Sequence, residues 1–223
     1  LDAGATRIEV ELEAGGVRLC RVRDNGVGIP RDELPLALAR HATSKIASLD
    51  DLEHVATLGF RGEALPSIAS VARLELCSRE RGADAAWLVR VADGEGEGPL
   101  PAAHPPGTSV TVRDLFFNVP ARRRFLRSER TEFDHVRALV ERIALSRESV
   151  AIQLRHNGRV VLDVAAADGP AGRAARVAAI CGDEFIAGAL EVERQGESLA
   201  LRGWISRPAC SRPQPDLQYL FLN

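Results

Sequence analysis

Methionine is absent from all 223 residues and the chain opens at Leu1, so these residues are expected to be a processed product or a piece of a longer chain. Lysine occurs once, at Lys45, and arginine supplies the rest of the 29 basic residues. Neither sign of charge dominates. The formal net charge of −2 gives no overall field toward nucleic acid or a membrane, and any such contact must come from a local patch. No apolar run approaches the ~18 residues of a membrane-spanning helix. No secretory segment opens the chain either, so a soluble cytoplasmic protein is expected. Cysteine is sparse: Cys20, Cys77, Cys181 and Cys210 lack any C-x-x-C spacing, which argues against metal binding and a disulfide framework and for buried, reduced thiols. The histidines at 41, 54, 104, 135 and 156 have no metal-ligand spacing. Neither a Walker P-loop nor a G-x-G-x-x-G after a strand is present, and no Ser/His/Asp constellation can be assigned.

What is there is a globular composition, 45% hydrophobic and 27% charged. At about 150 residues per domain the length fits one large domain, or one domain and part of a second. Residues 7–13 alternate, Gly15-Gly16 turns the chain, and apolar beats resume through Val22, predicting a hairpin with one buried face. Residues 31–41 show helical spacing, 42–50 read as a polar loop, and a short helical piece is predicted around 49–55. Pro66 fits only in a first turn, so a helix is expected to open near Gly62 or Glu63. Strands are predicted at 73–78, 86–92 and 108–115, with the Gly/Pro-rich run 93–107 between them an exposed loop. Helices are predicted at 120–127 and 130–147, then a hairpin about Asn157-Gly158. Residues 167–172 read as a linker. One helix (173–181) and strands at 190–192, 199–206 and 218–222 follow.

Taken singly, the candidate motifs are ambiguous. Asp24-Asn25-Gly26-Val27-Gly28-Ile29 is a turn first. Functionally, Asp24 offers a carboxylate to a base amino group, with Gly26 and Gly28 admitting close backbone approach. Gly59-Phe60-Arg61-Gly62-Glu63-Ala64-Leu65 is either a structural helix entry or an anion site built from free N–H groups. Thr43-Ser44-Lys45 is a solvated loop or a set of phosphate contacts, and Gly107-Thr108 is a strand entry. Arg122, Arg123, Arg124, Arg127 and Arg130 oppose the dipole of the helix they open. Either Glu129, Glu132 and Asp134 compensate them, or the cluster is a phosphate patch.

The order of these motifs is more specific than any one of them. DNGVGI, ATSKI, GFRGEAL, GT and DLFFNVPARRRFL succeed one another, and LDAGATRIEVELE precedes them. This succession resembles the ATPase region of the MutL family of DNA mismatch-repair proteins, which are GHKL ATPases, over nearly the whole chain. The resemblance implies an α/β (α+β) fold: a GHKL-type two-layer sandwich of mixed sheet and helices over residues 1–168. Part of a ribosomal-protein-like β-α domain would follow over 169–223. It implies that Asp24 binds the adenine amino group, with Thr108 nearby, and that Gly26 and Gly28 shape the purine pocket. Thr43, Ser44 and Lys45 would belong to a mobile lid, and Gly59, Phe60, Arg61, Gly62, Glu63, Ala64 and Leu65 would wrap the phosphates.

ATP and magnesium are the implied cofactors. In the family a glutamate activates the attacking water and an asparagine holds magnesium, both on a helix just upstream of the L-D-A-G run. A γ-phosphate lysine lies beyond Asn223. The 223 residues are therefore expected to contain no catalytic residue and no metal ligand, to bind nucleotide weakly and not to hydrolyse it. The implied partners of the intact bacterial protein are a second copy in a homodimer, mismatch-recognition and downstream repair proteins, and DNA held weakly without sequence preference. Nucleoid association would accompany action on DNA. Competing readings are another GHKL enzyme, such as a topoisomerase subunit, and a non-catalytic nucleotide-binding or dimerisation fragment.

Overall fold

The computed structural model describes residues 1–39, 62–197, 199–207 and 218–222. Within them, eight strands form one sheet: β1 Arg7–Glu13, β2 Leu19–Asp24, β3 Arg73–Arg79, β4 Ala86–Ala92, β5 Glu95–Ala102, β6 Gly107–Arg113, β7 Ala151–His156 and β8 Arg159–Val164. Their spatial order is β5-β4-β3-β6-β2-β1-β7-β8, with β1 and β7 parallel and every other pair antiparallel. Directly opposed residues share a face, so the register fixes which side of the sheet each residue occupies. Val10 opposes Val22 and Leu154, Val22 opposes Val110, Val110 opposes Leu76, and Leu76 opposes Val89. One apolar row therefore crosses the inner face of six strands.

Helices cover that face in two groups. Helix α1 (Leu34–Ala37) and α2 (Ala64–Ala69) belong with the half built on Leu74, Leu76 and Val89, where Leu34 is wholly buried. Helix α3 (Pro120–Arg123) is a single turn, shorter than the 120–127 expected from sequence. Helix α4 (Glu129–Ser146) packs Phe133, Val136, Val140, Ile143 and Ala144 on Leu12, Ile152, Leu154 and Leu162. The Ser128 side chain accepts the Thr131 N–H at its start. The opposite face carries alternating charge: Arg21–Glu11 and Arg90–Glu75 pair at 2.9 Å and Arg7–Glu9 at 2.8 Å. Such exposed pairs each contribute about 0.2–1 kcal/mol and keep this face wet.

Three expectations change. The Gly/Pro-rich run is not a loop, because residues 95–102 pair with β4. This strand lies at the sheet's edge, where Pro99 and Pro101 have no second neighbour requiring an N–H. The linker at 167–172 is mostly helix: α5 spans Gly169–Cys181, with proline in its first turn. A further helix, α6 (Asp183–Gly188), lay unread between it and the two-stranded ribbon of β9 (Ala189–Gln195) and β10 (Ala200–Ser206). No strand forms at 218–222, and the helical piece at 49–55 lies outside the described residues. Cys20, Cys77 and Cys181 are free and half-buried, and burial raises the pKa of each thiol.

Arg176 fixes α5 to the first unit. Only 4% exposed, its guanidinium donates to Ala144 and Val150 carbonyls at 2.8 Å, to Arg147 at 3.3 Å, and to Ala165. These four acceptors close the C-terminal end of α4 and the adjoining ends of β7 and β8. Burial lowers the guanidinium pKa and the charge of Glu148 opposes that shift. Arg176→Met removes five donors and leaves buried carbonyls unpaired, so urea unfolding is expected to show a loss of about 3–5 kcal/mol. A loss below about 1 kcal/mol would show that the clasp is dispensable.

Candidate functional site

At one end of the inner face the apolar alternation turns polar. On β2 the inward positions run Cys20, Val22, Asp24, on β6 they run Val112, Val110, Thr108, and on β3 Leu74, Leu76, Ser78. Ser78 opposes Thr108, and Arg23 opposes Ser109, which brings Asp24 level with Thr108 one step further along. A row of Asp24, Thr108 and Ser78 results.

Ser78 organises it. Its hydroxyl is 0% exposed, accepts the Ile29 N–H at 2.8 Å, and lies 2.9 Å from both the Gly107 carbonyl and the Thr108 hydroxyl. A carbonyl can only accept, so the single Ser78 proton goes to Gly107 and Thr108 donates to Ser78. Thr108 then meets any ligand with lone pairs alone. Asp24 does the same, with Oδ1 already accepting the Gly26 N–H at 2.8 Å. Sequence reasoning missed Ser78. The available signal was a serine at the third inward position of RLELCSR, after two leucines.

The loop after Asp24 is stitched on both sides. Asn25 Oδ1 accepts the N–H groups of Thr6 and Arg7 at 2.9 Å, so Asn25 serves the start of β1. Val27 N–H donates to Ala3 and Arg81 N–H to the Val27 carbonyl. Gly28, at φ +78°, would place a Cβ 2.1 Å from the Arg79 carbonyl. Gly107, at φ +120°, would place one 2.2 Å from the Asp24 carbonyl. Both positions need glycine for backbone-to-backbone contact as well as for their φ. Gly26 is buried beside Ala3.

Asp24, Gly26, Gly28 and Thr108 are thus together. Of the second motif, Gly62 has φ +61°, Glu63 precedes α2, Ala64 opens it, and Leu65 packs into the apolar cluster with Leu34 and Leu76. Gly59, Phe60, Arg61, Thr43, Ser44, Lys45 and His41 lie outside the described residues. Between the two helix groups the floor stays open: Val22, an inner-face residue next to the polar row, is 39% exposed. Among the described residues no group of three His, Cys, Asp or Glu side chains could hold a metal ion.

Comparison with known proteins follows the same line. The MutL mismatch-repair proteins of Pseudomonas fluorescens and Azotobacter vinelandii are each 58% identical across 100% of this chain, which covers 35% of their length. The ATPase domain of Aquifex aeolicus MutL, solved with ADP, superposes with a TM-score of 0.69 at 33% identity, covering 92% of this chain and 71% of that one. The chain belongs to the MutL family. It spans about a third of the curated MutL relatives it matches. The N-terminal domain of another DNA repair protein shares the fold at 22% identity and a TM-score of 0.77, covering 96% of this chain and 67% of that one. The family model described as the C-terminal domain of DNA mismatch repair protein matches residues 177–223, which begin inside α5. Among the described residues no helix is long and apolar enough to cross a membrane.

His104 buttresses the strand that carries Thr108. Its Nδ1 is 2.6 Å from the Pro105 carbonyl and must donate to it, so in the neutral ring Nε2 accepts from Ser109 at 2.7 Å. Burial holds the imidazole below its ordinary pKa. The Pro105 carbonyl and Asp24 oppose that shift, and Arg23 and Arg79 reinforce it.

Two outcomes follow from this packing. The unfolded chain takes up the His104 proton more readily than the folded one. The stability this contributes is complete above about pH 6.5 and falls as the pH drops through the folded value. Urea midpoints are expected to fall more steeply from pH 7.5 to 5 for wild type than for His104→Gln, and equal slopes would contradict this. Gly107→Ala is expected to lose about 2–5 kcal/mol in the same assay through overpacking and backbone strain, and an unchanged midpoint would contradict the close approach.

Proposed function

We propose that this chain is the nucleotide-binding part of a MutL-type mismatch-repair ATPase, with the adenine held at the Asp24–Thr108–Ser78 row. The observation that carries the reading is hydrogen-bond polarity. With the Thr108 hydroxyl donating its hydrogen bond to Ser78, the groups facing the exposed Val22 are acceptors. Adenine presents an amino group with N–H donors, whereas guanine presents a carbonyl at the same ring position, which two acceptors repel. Oδ1 of Asp24 is committed to Gly26, so the ligand's donor meets Oδ2.

The remaining assignments rest on motif order. Gly26 and Gly28 border the purine, Thr43, Ser44 and Lys45 form the lid, and residues 59–65 enclose the phosphates. Residues 1–168 are the nucleotide domain and 169–223 part of the second. In the intact protein, nucleotide would order the lid and close a homodimer, and closure would alter engagement of DNA and of mismatch-recognition and downstream repair proteins in the bacterial cytoplasm. DNA contact would be weak and without sequence preference.

Magnesium does not fit the described residues, which offer no cluster for it. With no general base among its own residues by the family pattern, the 223-residue polypeptide binds nucleotide weakly and does not turn it over.

Titration with a non-hydrolysable ATP analogue tests the site. Weak, saturable binding is expected, at least about tenfold weaker in Asp24→Ala, since a hydrogen bond to a carboxylate is worth about 1.5–3 kcal/mol. Equal affinity in the variant would remove Asp24 from the site. Steady-state ATPase of the 223-residue polypeptide is expected to be absent beside a chain extended upstream of Leu1, and comparable rates would overturn the inactive reading.

A further inference from the structure

The segment that leaves Asp24 crosses the end of the sheet one strand at a time. At its start, Gly107 of β6 passes close to the Asp24 carbonyl. Gly28 then lies against the Arg79 backbone, and the Ile29 N–H reaches the Ser78 hydroxyl, both contacts being on β3. Arg31 comes next to β4, where its guanidinium carbon stands 4.2 Å from the ring centre of Trp87. Leu34, three residues on, is wholly buried in the apolar cluster that Ile29 and Trp87 join.

Trp87 stands beside the polar row. It opposes Ser78 across β3 and β4, and Pro101 across β4 and β5, so the inner-face order at this end is Asp24, Thr108, Ser78, Trp87, Pro101. The wholly buried Ser78 thus has Thr108 on one flank, Trp87 on the other and the Ile29 N–H bonded to its oxygen. This enclosure matters because Ser78 sets the direction of the Thr108 hydrogen bond. Its proton goes to the Gly107 carbonyl, and its lone pairs receive the Ile29 N–H and the Thr108 O–H. A water admitted on the Trp87 side would offer both donors and acceptors, freeing the Thr108 hydroxyl to turn and donate to a ligand. The indole fills that side with apolar surface, and the Arg31 guanidinium is held on its ring by cation–π attraction.

We propose that Trp87, capped by Arg31, is a positioning residue that keeps water from Ser78 and so holds the Thr108 hydroxyl as an acceptor toward the purine. The pair favours nucleotides with an amino group at position 6 over those with a carbonyl there, and it acts through Ser78 rather than on the base. Arginine suits the cap because its planar guanidinium stacks on an aromatic face. The inference rests on the adenine reading above, for which it names the groups that keep the acceptors facing the ligand.

The test is calorimetric titration of the full 223-residue chain with ATP and with inosine triphosphate, which carries a carbonyl in place of the 6-amino group. Wild type is expected to favour ATP about tenfold or more. Trp87→Ala should lower that preference about threefold to tenfold, by tightening inosine triphosphate more than it weakens ATP. Trp87→Phe should restore most of it. Arg31→Gln, a change to an exposed side chain, should lower the preference about twofold or more, and Arg31→Lys should keep it. Because the indole acts through Ser78, adding Trp87→Ala to Ser78→Ala should change the ratio no further. A looser fold alone would weaken both nucleotides alike and leave their ratio in place. That result in Trp87→Ala and Arg31→Gln overturns the role of the pair, as do losses from Trp87→Ala and Ser78→Ala that add. If Trp87→Ala fails to fold, the ratio in Arg31→Gln decides. A wild type that binds the two nucleotides alike, or neither, overturns the adenine reading and this inference together. A wild-type preference that survives the variants overturns this inference alone.

Discussion

Cross-strand register is the constraint on which the site and the core both depend. Val10, Val22, Val110, Leu76 and Val89 oppose one another strand by strand, so the inner face is apolar along one row. The same register, two residues further along each strand, sets Asp24, Thr108 and Ser78 side by side. A slip of one residue in β2 or β6 would turn the carboxylate or the threonine to the charged outer face. Glycines at 28 and 107 lock that register, since each lets one backbone pass closer to another than a Cβ permits. The rigidity of the polar row is therefore a property of the whole sheet rather than of its own hydrogen bonds alone.

Helix α5 is joined to the sheet by a different kind of contact. Arg176 reaches back from α5 to carbonyls of α4, β7 and the segment after β8, so the first half of the crossing is held by buried charge-assisted hydrogen bonds. Beyond it the ties are weaker. Arg202 meets Glu148 at 2.8 Å, but both side chains are partly exposed, and such a pair contributes little. Helix α5 is thus tied to α4 and the sheet, although the family match described as a C-terminal domain begins inside it, at residue 177.

The hairpins, the α4 stripe and the order of motifs were legible because alternation, helical spacing and turn chemistry are local. Edge strand β5 was not legible, since its Gly and Pro content signals a loop and only its place at the sheet's rim makes a strand tolerable. Ser78 was hidden for a related reason: nothing adjacent in sequence marks a serine as the shared partner of Ile29, Gly107 and Thr108, which come from two other segments. Asn25 looked like part of a binding motif and is bonded instead to Thr6 and Arg7 at the entry to β1. The arginines of α3 were undecidable in sequence because the destination of Glu129 and Glu132 depends on the His156-Asn157 turn and on the helix cap.

The proposed selection of an amino-bearing purine by two acceptors, Asp24 and Thr108, is tested most directly by calorimetry of ATP and of purine riboside triphosphate, which lacks the 6-amino group, in wild type and in Asp24→Ala. Wild type is expected to bind ATP about tenfold or more tightly than the amino-free analogue, and the variant to bind the two alike. Equal affinity of the wild type for both nucleotides, or a preference that survives the loss of Asp24 undiminished, would contradict it.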